Sequence, residues 1–579
     1  MKRTHHNGTL RMEHVGQRVE LVGWVSKRRN FGSIVFIDLR DRSGLVQLVI
    51  NQEEFPRVDK IRSEYVLSIS GIVNERKDKN PKLPTGDVEI VVDGLEIINE
   101  AQQTPMIIAD ETDALEDTRL KYRYLDLRRP IMQDRLIKRS KITGQMRRTL
   151  EDLGFLEIET PMLTKSTPEG AREYLVPSRV HKGEFYALAQ SPQIFKQLLM
   201  IGGLERYYQI ARCFRDEDLR ADRQLDFTQV DIEASFLSQD EFMAIIEQVA
   251  SDVMVHVLGH EKPEFPRISF YDALNVYGSD KPDLRFELHL SDVNGVFKDS
   301  EFKVFQDTLT QGGALRALVL SGNHADTITR KVSDKYTDLV KKNGMKGLVV
   351  LKAQQDTLSG SAAKFLSETE IKALYQTLNL QENDVLFIGS GEWEQTCTAM
   401  GALRLQLAKD FDLIPENTFK YAWIVDFPMF ELGEEGEIIA RHHPFTSPKR
   451  EDIELLDSDP LKVTAQAYDL SLNGFEVAGG SMRIYDQTLQ AKMFNIIGFS
   501  NEDIESRFGF FVDAFKYGTP PHGGIAFGLD RYAMALTESD SIRDVIAFPK
   551  NASARCPLTN APAPATEKQL KELHIEIED

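Results

Sequence analysis

The sequence has few cysteines and no long apolar segment. Only three of its 579 residues are cysteines, and Cys213, Cys397 and Cys556 lie far apart with no zinc-binding spacing. This spacing argues against a disulfide framework or a Cys/His zinc site and favours a reducing compartment. No apolar run approaches the roughly 20 residues that span a bilayer, and none follows the basic N-terminus MKRTHHNGTL. We therefore expect a cytoplasmic protein with no secretory signal and no membrane partner.

The sequence also has fewer basic than acidic residues. The chain has 70 lysines and arginines against 90 acidic residues, a formal net charge of −20. An acidic chain binds nucleic acid only through local basic patches. The sequence contains no GxxxxGK[ST] motif, and GSGEWE at 389–394 lacks the third glycine of a dinucleotide-binding loop. A P-loop NTPase is therefore excluded, and the length predicts three or four domains.

The first 105 residues alternate short apolar runs with turn residues. This pattern predicts a small five-stranded barrel of the oligonucleotide-binding (OB) type. Three cations at 27–29 lie close in sequence to Phe31 and Phe36, and cations beside exposed aromatic rings suit the stacking of single-stranded bases. Phenylalanines of the barrel core would produce the same pattern, so both interpretations stay open.

Three further segments indicate structure, not chemistry. Residues 106–135 are polar and charged, which favours a connector with one short helix. A helix with an apolar face follows, and the strand FLEIETPML after it ends at Pro161. Residues from about 286 to 415 are typical of a separate insert of strands and helices without a catalytic constellation.

The stretch Ala211–Glu233 concentrates charge between two strand-like runs. After its charged loop, Gln229, Asp231 and Glu233 alternate with Val230 and Ile232. A period of two places the three polar side chains on one face of a strand. Such a hairpin suits a floor that holds a charged small molecule, although a solvated surface hairpin is the simpler interpretation of the stretch alone.

Other stretches change that interpretation. They are QSPQIFKQLL with Gln193 and Lys196, HHPFTSP with His442 and His443, AYDLSLNGFEVAGGSMRI with Asp469, Glu476 and Arg483, and the helix start GLDR with Arg531. The glycines at 479 and 480 predict that the strand turns there. A helix N-terminus favours anions through its dipole and free N–H groups, so an arginine at that place suits a polyphosphate. Each residue taken singly is also explained by a surface ion pair.

These stretches resemble a known family. FRDE at 214–217 and GLDR at 528–531 are similar to the second and third signature motifs of class II aminoacyl-tRNA synthetases. The helix and strand ending at Pro161 resemble the first motif, which in that class forms the dimer interface. With the barrel and the insert, the features resemble the bacterial type of aspartyl-tRNA synthetase across essentially the whole chain.

The resemblance implies an α+β multidomain fold. Its parts are an OB-fold anticodon-binding barrel (1–105), a hinge or connector (106–135), a class II antiparallel-sheet catalytic core in two parts (136–285 and 416–555), an inserted α/β domain (286–415) and a C-terminal extension (556–579).

The resemblance also implies a two-step reaction. Aspartate and ATP form aspartyl-adenylate and pyrophosphate, and the aspartyl group then moves to the 3′ end of tRNA(Asp). The implied catalytic residues are Arg215 and Arg531. The implied aspartate-binding residues are Glu169, Gln193, Lys196, Arg215, Asp231, His442 and Arg483. The implied ATP-binding residues are Arg215, Asp216, Glu217, Gln224, Glu476, Gly528, Leu529, Asp530 and Arg531, and the implied Mg²⁺ ligands are Asp469 and Glu476.

By the same resemblance, the barrel reads the anticodon of tRNA in a homodimeric enzyme. The implied contacts are Arg28, Phe36, Gln47 and Asn80. Whether tRNA(Asn) is a second acceptor stays open. Phe31 stands where the relaxed type is associated with histidine, which favours tRNA(Asp).

Three rival functions fit the sequence less well. A sister enzyme for lysine conflicts with the cations Lys196 and Arg483, and an enzyme for asparagine does not need two cations for an amide. A non-catalytic RNA-binding paralogue is expected to have lost Arg215, Arg531 or Glu476, and all three are present. A class I synthetase is excluded because neither of its two signatures occurs.

Overall fold

The computed structural model describes residues 3–166, 171–322 and 324–578. Contacts within the chain separate it into two units. The first comprises the described residues up to Ile137 together with Arg543–Pro564. The second comprises Lys138–Ile542 and the described residues from Ala565 onward.

Five strands of the first unit form a closed barrel in the order β1-β2-β3-β5-β4. They are β1 (Arg18–Phe31), β2 (Ile34–Asp41), β3 (Gly44–Asn51), β4 (Val66–Glu75) and β5 (Val88–Asn99). Val19, Leu21 and Val25 are fully buried inside it, because successive side chains of a strand point to opposite faces. The barrel predicted from the first 105 residues is confirmed.

Helices follow the barrel. They are α1 (Glu116–Lys121), α2 (Arg123–Asp126) and α3 (Pro130–Asp152). The connector thus contains two short helices, where one was expected. The buried guanidinium of Arg123 donates to the main-chain oxygens of Ile546 and Ala547, which is why residues 543–564 group with this unit.

The second unit begins with the elements that carry the charged hairpin. They are β6 (Leu156–Glu157), β7 (Leu163–Thr164), β8 (Leu175–Pro177), β9 (Phe185–Leu188), α4 (Gln193–Ile201), β10 (Arg206–Phe214), β11 (Asp226–Ser235), α5 (Gln239–Val253), β12 (Arg267–Ser269) and α6 (Phe270–Tyr277). The strand expected up to Pro161 is reduced to the two residues of β6. The main-chain N–H of Thr160 donates to the side chain of Gln209 on β10 and not to the main chain of that strand, and proline has no N–H to give.

The insert has its own sheet and helices. Its elements are β13 (Ser291–Asp292), α7 (Lys303–Thr310), β14 (Ala314–Leu320), α8 (Arg330–Lys342), β15 (Val349–Gln354), β16 (Thr357–Ser359), α9 (Glu368–Leu378), β17 (Val385–Gly391) and α10 (Trp393–Asp410). The strands pair antiparallel in the order β13-β14-β17-β15-β16. Gly401 in the middle of α10 allows close packing, because a Cβ there would lie 2.1 Å from the main-chain oxygen of Gly278.

The remaining elements complete the central sheet. They are β18 (Tyr421–Val425), β19 (Phe430–Leu432), β20 (Ile438–Ala440), α11 (Leu455–Ser458), β21 (Ala467–Leu472), β22 (Phe475–Met482), α12 (Gln487–Ile496), α13 (Asn501–Ala514), β23 (His522–Gly528), α14 (Leu529–Leu536) and α15 (Glu567–Leu573). In the described ranges, the central sheet has eight strands in the order β12-β18-β21-β22-β23-β11-β10-β6. All neighbours are antiparallel except the pairs β12–β18 and β6–β10.

The turn predicted at Gly479 and Gly480 is wrong. Strand β22 continues through both glycines. A Cβ at Gly480 would lie 2.1 Å from the main-chain oxygen of Gly524 on β23. The glycine is therefore explained by a close approach of two strands.

None of the helices in the described parts of the chain is both long and apolar enough to cross a membrane.

Candidate active site

A cavity of about 530 Å³ opens on the central sheet of the second unit. Residues of β11, β22 and the junction between β23 and α14 line it, together with the first turn of α4. The predicted site residues that the structure brings together here are Gln193, Lys196, Arg215, Glu217, Gln224, Asp231, His442, Asp469, Glu476, Arg483, Gly528, Asp530 and Arg531.

One end of the cavity combines cations with an aromatic ring. The Arg215 guanidinium lies over the ring of Phe227, 5.1 Å from its centre. Arg531 donates through Nη1 to the main-chain oxygen of Glu476 at 2.9 Å and lies 3.3 Å from Asp222. In the described structure, the Nε atoms of both arginines are buried without a partner. This end therefore suits phosphate oxygens together with a stacked base.

Two carboxylates face each other beside this end. A Cβ added at Gly479 would lie 2.9 Å from Asp469 Oδ1 and 3.3 Å from Glu476 Oε1. Burial and the neighbouring Asp469 carboxylate raise the pKa of Glu476, as expected for two like charges that share a site. A divalent cation between them would remove that repulsion.

The pair fits a cation that brings further ligands with it. No cluster of three or more His, Cys, Asp or Glu side chains within the described ranges could hold a metal ion by itself. Mg²⁺ is usually bound by one or two carboxylates plus substrate phosphates and water. Asp469 and Glu476 therefore have the chemistry of a Mg²⁺ site that forms with a nucleotide.

The other end of the cavity buries four charged side chains. Lys196 Nζ lies 2.6 Å from Asp231 Oδ1 and 3.4 Å from Glu233 Oε2. Arg483 Nε lies 2.9 Å from Glu233 Oε1. The two positive and two negative charges balance, and each of the four side chains is almost fully buried. Buried charges are tolerated when they are paired in this way.

The two acids of this group differ in acidity. Burial raises the pKa of Asp231 in spite of the nearby Lys196. Burial acts on Glu233 in the same direction, but Arg483 and Lys196 together outweigh it and lower the pKa of Glu233. The carboxylate of Glu233 is therefore the more firmly ionised of the two.

His443 contacts the buried arginine directly. Arg483 donates through Nη1 to His443 Nε2 at 2.7 Å. Burial and the neighbouring Arg483 charge lower the pKa of His443 well below its ordinary value, so the ring is neutral and accepts this hydrogen bond. His442 lines the cavity instead, with Nε2 4.0 Å from Asp469 Oδ2. The sequence pattern favoured His442 and did not suggest that its neighbour orients Arg483.

Buried polar atoms at this end lack partners. In the part of the chain that the structure describes, Gln193 Nε2, Asp231 Oδ2 and His442 Nδ1 make no hydrogen bond. A buried polar atom without a partner costs about 1–3 kcal/mol. These atoms therefore indicate where a polar ligand binds: Asp231 Oδ2 can accept from an ammonium group and Gln193 Nε2 can donate to a carboxylate.

Of the three remaining predicted residues, the two that the structure describes do not line the cavity. Glu169 lies outside the described residues. Asp216 is exposed and does not line the cavity, and its carboxylate accepts from the Tyr174 hydroxyl at 3.4 Å. Leu529 is buried in the packing of α14. The structure places neither side chain on the cavity wall, and the contacts of Asp216 and Leu529 with ATP stay predictions.

Asp530 reaches the cavity wall, but its carboxylate serves the protein. It accepts the main-chain N–H of Thr228 at 2.8 Å and pairs with Arg139 of α3. An arginine and a main-chain donor already bind it, so it connects elements around the site, and its contact with ATP stays a prediction.

Phe227 is a functional candidate that the sequence pattern missed, and Glu233, which the pattern placed on the polar face of the strand, was assigned no role in the site. Phe227 lines the cavity, and Glu233 lies directly behind Arg483. The signal was present, because the alternation that places Gln229 and Asp231 on one face of β11 extends to both residues.

The candidate anticodon residues lie on the barrel. Phe36 pairs in register with Arg29, and its ring is 5.7 Å from that of the exposed Phe31. Neither ring belongs to the aliphatic core of the barrel. The surface around Phe36 therefore combines cations and accessible aromatic rings.

The other three candidates already have partners within the chain. Gln47 accepts from Arg29 at 3.0 Å and donates to Glu89 at 2.8 Å. Arg28 pairs with Asp59 at 2.9 Å, and the side chain of Asn80 accepts the main-chain N–H of Lys82 at 3.1 Å. A contact of Arg28, Gln47 or Asn80 with tRNA would have to add to these bonds or exchange with them.

Comparisons with protein families agree with both parts of the fold. The family of class II tRNA synthetases for D, K and N matches residues 115–552, and the OB-fold nucleic acid binding domain matches residues 19–98. With the antiparallel sheet and its cavity, these matches define the class. The chain belongs to the class II aminoacyl-tRNA synthetases, of the group for aspartate, lysine and asparagine.

Full-length relatives narrow the family to aspartate–tRNA ligases. The chain is 52% identical over 583 residues to the aspartate–tRNA(Asp/Asn) ligase of Geobacillus sp. strain WCH70, covering 99% of this chain and 98% of the relative. It is 51% identical over 585 residues to the aspartate–tRNA ligase of Shouchella clausii strain KSM-K16, covering 100% and 99%. The resemblance inferred from the motifs is thereby confirmed.

Solved structures show the same fold at much lower identity. The asparaginyl-tRNA synthetase of Pyrococcus horikoshii with asparaginyl-adenylate has a TM-score of 0.58 at 18% identity, covering 95% of this chain and 98% of that one. The aspartyl-tRNA synthetase of Entamoeba histolytica has a TM-score of 0.56 at 18% identity, covering 93% and 90%. At this identity the similarity concerns the fold alone.

Proposed function

We propose that the chain is an aspartate–tRNA ligase that forms aspartyl-adenylate from L-aspartate and ATP and then transfers aspartate to the 3′ end of tRNA(Asp). One observation carries the proposal. A single cavity joins the phosphate- and base-binding end at Arg215 and Phe227 to a buried charged end at Lys196 and Arg483. The names of the full-length relatives support the same reaction.

The first step needs no nucleophile from the protein. An α-carboxylate oxygen of aspartate attacks the α-phosphorus of ATP, and the bond to the β-phosphate oxygen breaks and releases pyrophosphate. Arg215, at the phosphate- and base-binding end, stabilises the charge that develops at the α-phosphate. Arg531 binds the departing phosphates. Catalysis then rests on positioning and on preorganised positive charge.

We further propose that Asp469 and Glu476 bind Mg²⁺ together with ATP. The mutual repulsion of these carboxylates and the lack of a side chain at Gly479, which lies close to both of them, support this assignment. The ion would neutralise phosphate charge when bound. The proposal predicts that Asp469→Asn raises the Mg²⁺ concentration needed for half-maximal activity.

Selectivity for aspartate follows from the remaining hydrogen-bond donors. The β-carboxylate of the substrate meets Lys196 and Arg483, while Asp231 Oδ2 accepts from the substrate ammonium. Asparagine would place an amide N–H₂ against these donors and leave them unsatisfied. Lysine would bring a third cation to a group with balanced charge, at a cost in Coulomb energy.

The barrel is the proposed site for the tRNA anticodon, through Phe36 with Arg28, Gln47 and Asn80. The finer question is tRNA(Asn). Phe31 favours tRNA(Asp) alone, whereas the Geobacillus relative is named for both tRNAs. We propose tRNA(Asp) as the substrate, and the charging of tRNA(Asn) is measured beside it.

We also propose a cytoplasmic homodimer. Leu156, Met162 and Leu163, which follow α3, are about half exposed, as expected for apolar residues that a second copy covers. Light scattering on the purified protein tests this, and a monomer at micromolar concentration would contradict it.

Two assays test the proposed reaction. ATP–pyrophosphate exchange is measured with aspartate, asparagine and lysine, and only aspartate is expected to support it. Aminoacylation of purified tRNA(Asp) and tRNA(Asn) is then measured side by side with labelled aspartate. Charging of neither tRNA would overturn the proposed function, and equal charging of both would show that Phe31 does not exclude tRNA(Asn).

A further inference from the structure

A buried glutamate contacts Arg483, the arginine proposed to bind the β-carboxylate of aspartate, from the side away from the cavity. Glu233 on β11 is fully buried and does not line the cavity. Its Oε1 accepts from Arg483 Nε at 2.9 Å, and its Oε2 accepts from Arg483 Nη2 at 3.1 Å. These two bonds hold one edge of the guanidinium from behind.

The hydrogen bonds of Arg483 fix its orientation. A guanidinium has five N–H groups. Glu233 takes two of them, and Nη1 donates to His443 Nε2 at 2.7 Å and to Ser481 Oγ at 2.6 Å. One N–H of Nη2 is then left for the substrate. A single remaining donor recognises a carboxylate only if the guanidinium plane is held in place, and Glu233 makes two of the four bonds that hold it.

The backbone opposite Glu233 leaves room for its carboxylate. A Cβ added at Gly524 on β23 would lie 1.6 Å from Glu233 Oε2 and 2.4 Å from its Cδ. No side chain can share that space, so any residue other than glycine would displace the carboxylate from Arg483. Gly524 and Glu233 are paired in register on neighbouring strands. The need for glycine at 524 therefore comes directly from the Glu233 side chain opposite it.

We propose that Glu233 is the positioning residue for aspartate selectivity and that Gly524 is the position that admits its carboxylate. The inference rests on the proposed aspartate activation. It adds that a residue that does not line the cavity also contributes to the selectivity for aspartate. Glu233 acts through Arg483: it fixes the guanidinium and balances its charge, so that the last N–H points at the substrate β-carboxylate.

The test uses Glu233→Gln and Gly524→Ala in the full-length chain. Glutamine keeps the size of Glu233, but its N–H₂ group opposes the N–H groups of Arg483. Alanine at 524 leaves Glu233 chemically intact and displaces it. Ile525→Val is the matched control, since it removes one methyl group from the fully buried neighbour of Gly524 on the same strand.

The readout is ATP–pyrophosphate exchange, with KM measured separately for aspartate and ATP. We expect both variants to raise the KM for aspartate by about tenfold or more, the loss expected for one ionic hydrogen bond. The KM for ATP is expected to stay within about twofold, because the residues at the nucleotide end are untouched. The control is expected to leave both KM values close to wild type.

The outcomes separate the inference from the proposed function. If the wild-type chain shows no aspartate-dependent exchange, the proposed function fails and the inference fails with it. If wild type is active and Glu233→Gln keeps or lowers the KM for aspartate, the inference alone is overturned. Equal rises of the KM for ATP and for aspartate would also overturn it, because they would indicate a general structural defect. If Gly524→Ala does not fold, Glu233→Gln decides the question.

Discussion

Asp530 accepts a hydrogen bond from the main-chain N–H of Thr228 at 2.8 Å. The same buried carboxylate pairs with Arg139 of α3. One acidic side chain thus connects α14, β11 and α3 beside the nucleotide end of the cavity. We infer that Asp530 mainly stabilises the packing of these three elements.

Replacement of Asp530 is expected to destabilise the second unit. Asp530→Ala removes the carboxylate that pairs with Arg139 and accepts from the main-chain N–H of Thr228, and breaking one partner of a buried ion pair costs about 3–5 kcal/mol. Urea unfolding followed by tryptophan fluorescence measures the loss. Asp240→Ala is the control, because Asp240 pairs with Arg267 at an exposed site and such pairs contribute at most about 1 kcal/mol. Equal losses in the two variants would contradict this role.

Phe227 is expected to contribute to ATP binding. Phe227→Ala removes the ring that lies against Arg215, and loss of a base–aromatic stack costs about 1–3 kcal/mol. The KM for ATP should therefore rise by roughly fivefold to 150-fold in pyrophosphate exchange, with a smaller change in the KM for aspartate. Phe227→Tyr keeps the ring and should stay near wild type. A KM for ATP that is unchanged in the alanine variant would exclude stacking at this position.

Sequence patterns over a few residues were sufficient to predict individual strands and the barrel. The alternation in β11 gave the polar floor of the cavity because strand periodicity acts over a few residues. The barrel followed in the same way from short apolar runs and turns. The motif residues Arg215, Arg531, Asp469 and Glu476 were brought to the same cavity as the resemblance implied.

Relations between distant segments were not predictable in the same way. A lysine one turn into a helix is usually solvated, but Lys196 is buried because β11 passes beside α4 and supplies Asp231. Two adjacent glycines are typical of a turn, yet Gly480 is required by the distance between β22 and β23. The partners of His443 and Glu233 also depend on which strands become neighbours, and no local pattern contains that information.

Arg483 is expected to be essential for aspartate activation. Arg483→Leu removes a donor to the substrate and leaves the buried Glu233 without its main counter-charge. We expect aspartate-dependent exchange to fall by about 100-fold or more, since truncating one partner of a buried charge pair costs about 2–5 kcal/mol. Arg267→Leu, which removes an exposed arginine away from the cavity, is the control. Exchange near the wild-type rate in Arg483→Leu would refute the assigned selectivity.

Phe36 is expected to act on tRNA and not on amino-acid activation. Phe36→Ala removes a partly exposed ring from the barrel surface, and the loss of one stacked base costs about 1–3 kcal/mol. The KM for tRNA(Asp) in aminoacylation should rise by roughly fivefold or more. Pyrophosphate exchange, which needs no tRNA, serves as the internal control and should not change. An equal loss in both assays would show that the substitution damages the fold.

The free energy of unfolding is expected to fall as the pH is lowered through about 6.5, the ordinary pKa of a histidine side chain. Burial lowers the pKa of His443 well below that value and also lowers the pKa of His522. The unfolded chain therefore binds more protons in this range than the folded chain does, so the free energy of unfolding rises with pH there. For a ring that stays neutral in the folded protein, the expected slope is about 0.7 kcal/mol per pH unit at pH 6.5 and approaches about 1.4 kcal/mol per pH unit at lower pH.

Urea unfolding between pH 5.5 and 7.5 measures this slope, and His443→Asn isolates one of the two rings. The variant keeps a polar side chain beside Arg483 but cannot bind a proton in this range, so its slope should be smaller by the contribution of one group. A lower overall stability of the variant does not affect the test, because only the change with pH is compared. The same slope in wild type and variant would mean that His443 binds a proton as readily in the folded as in the unfolded protein, and its hydrogen bond from Arg483 would then have to be reassigned.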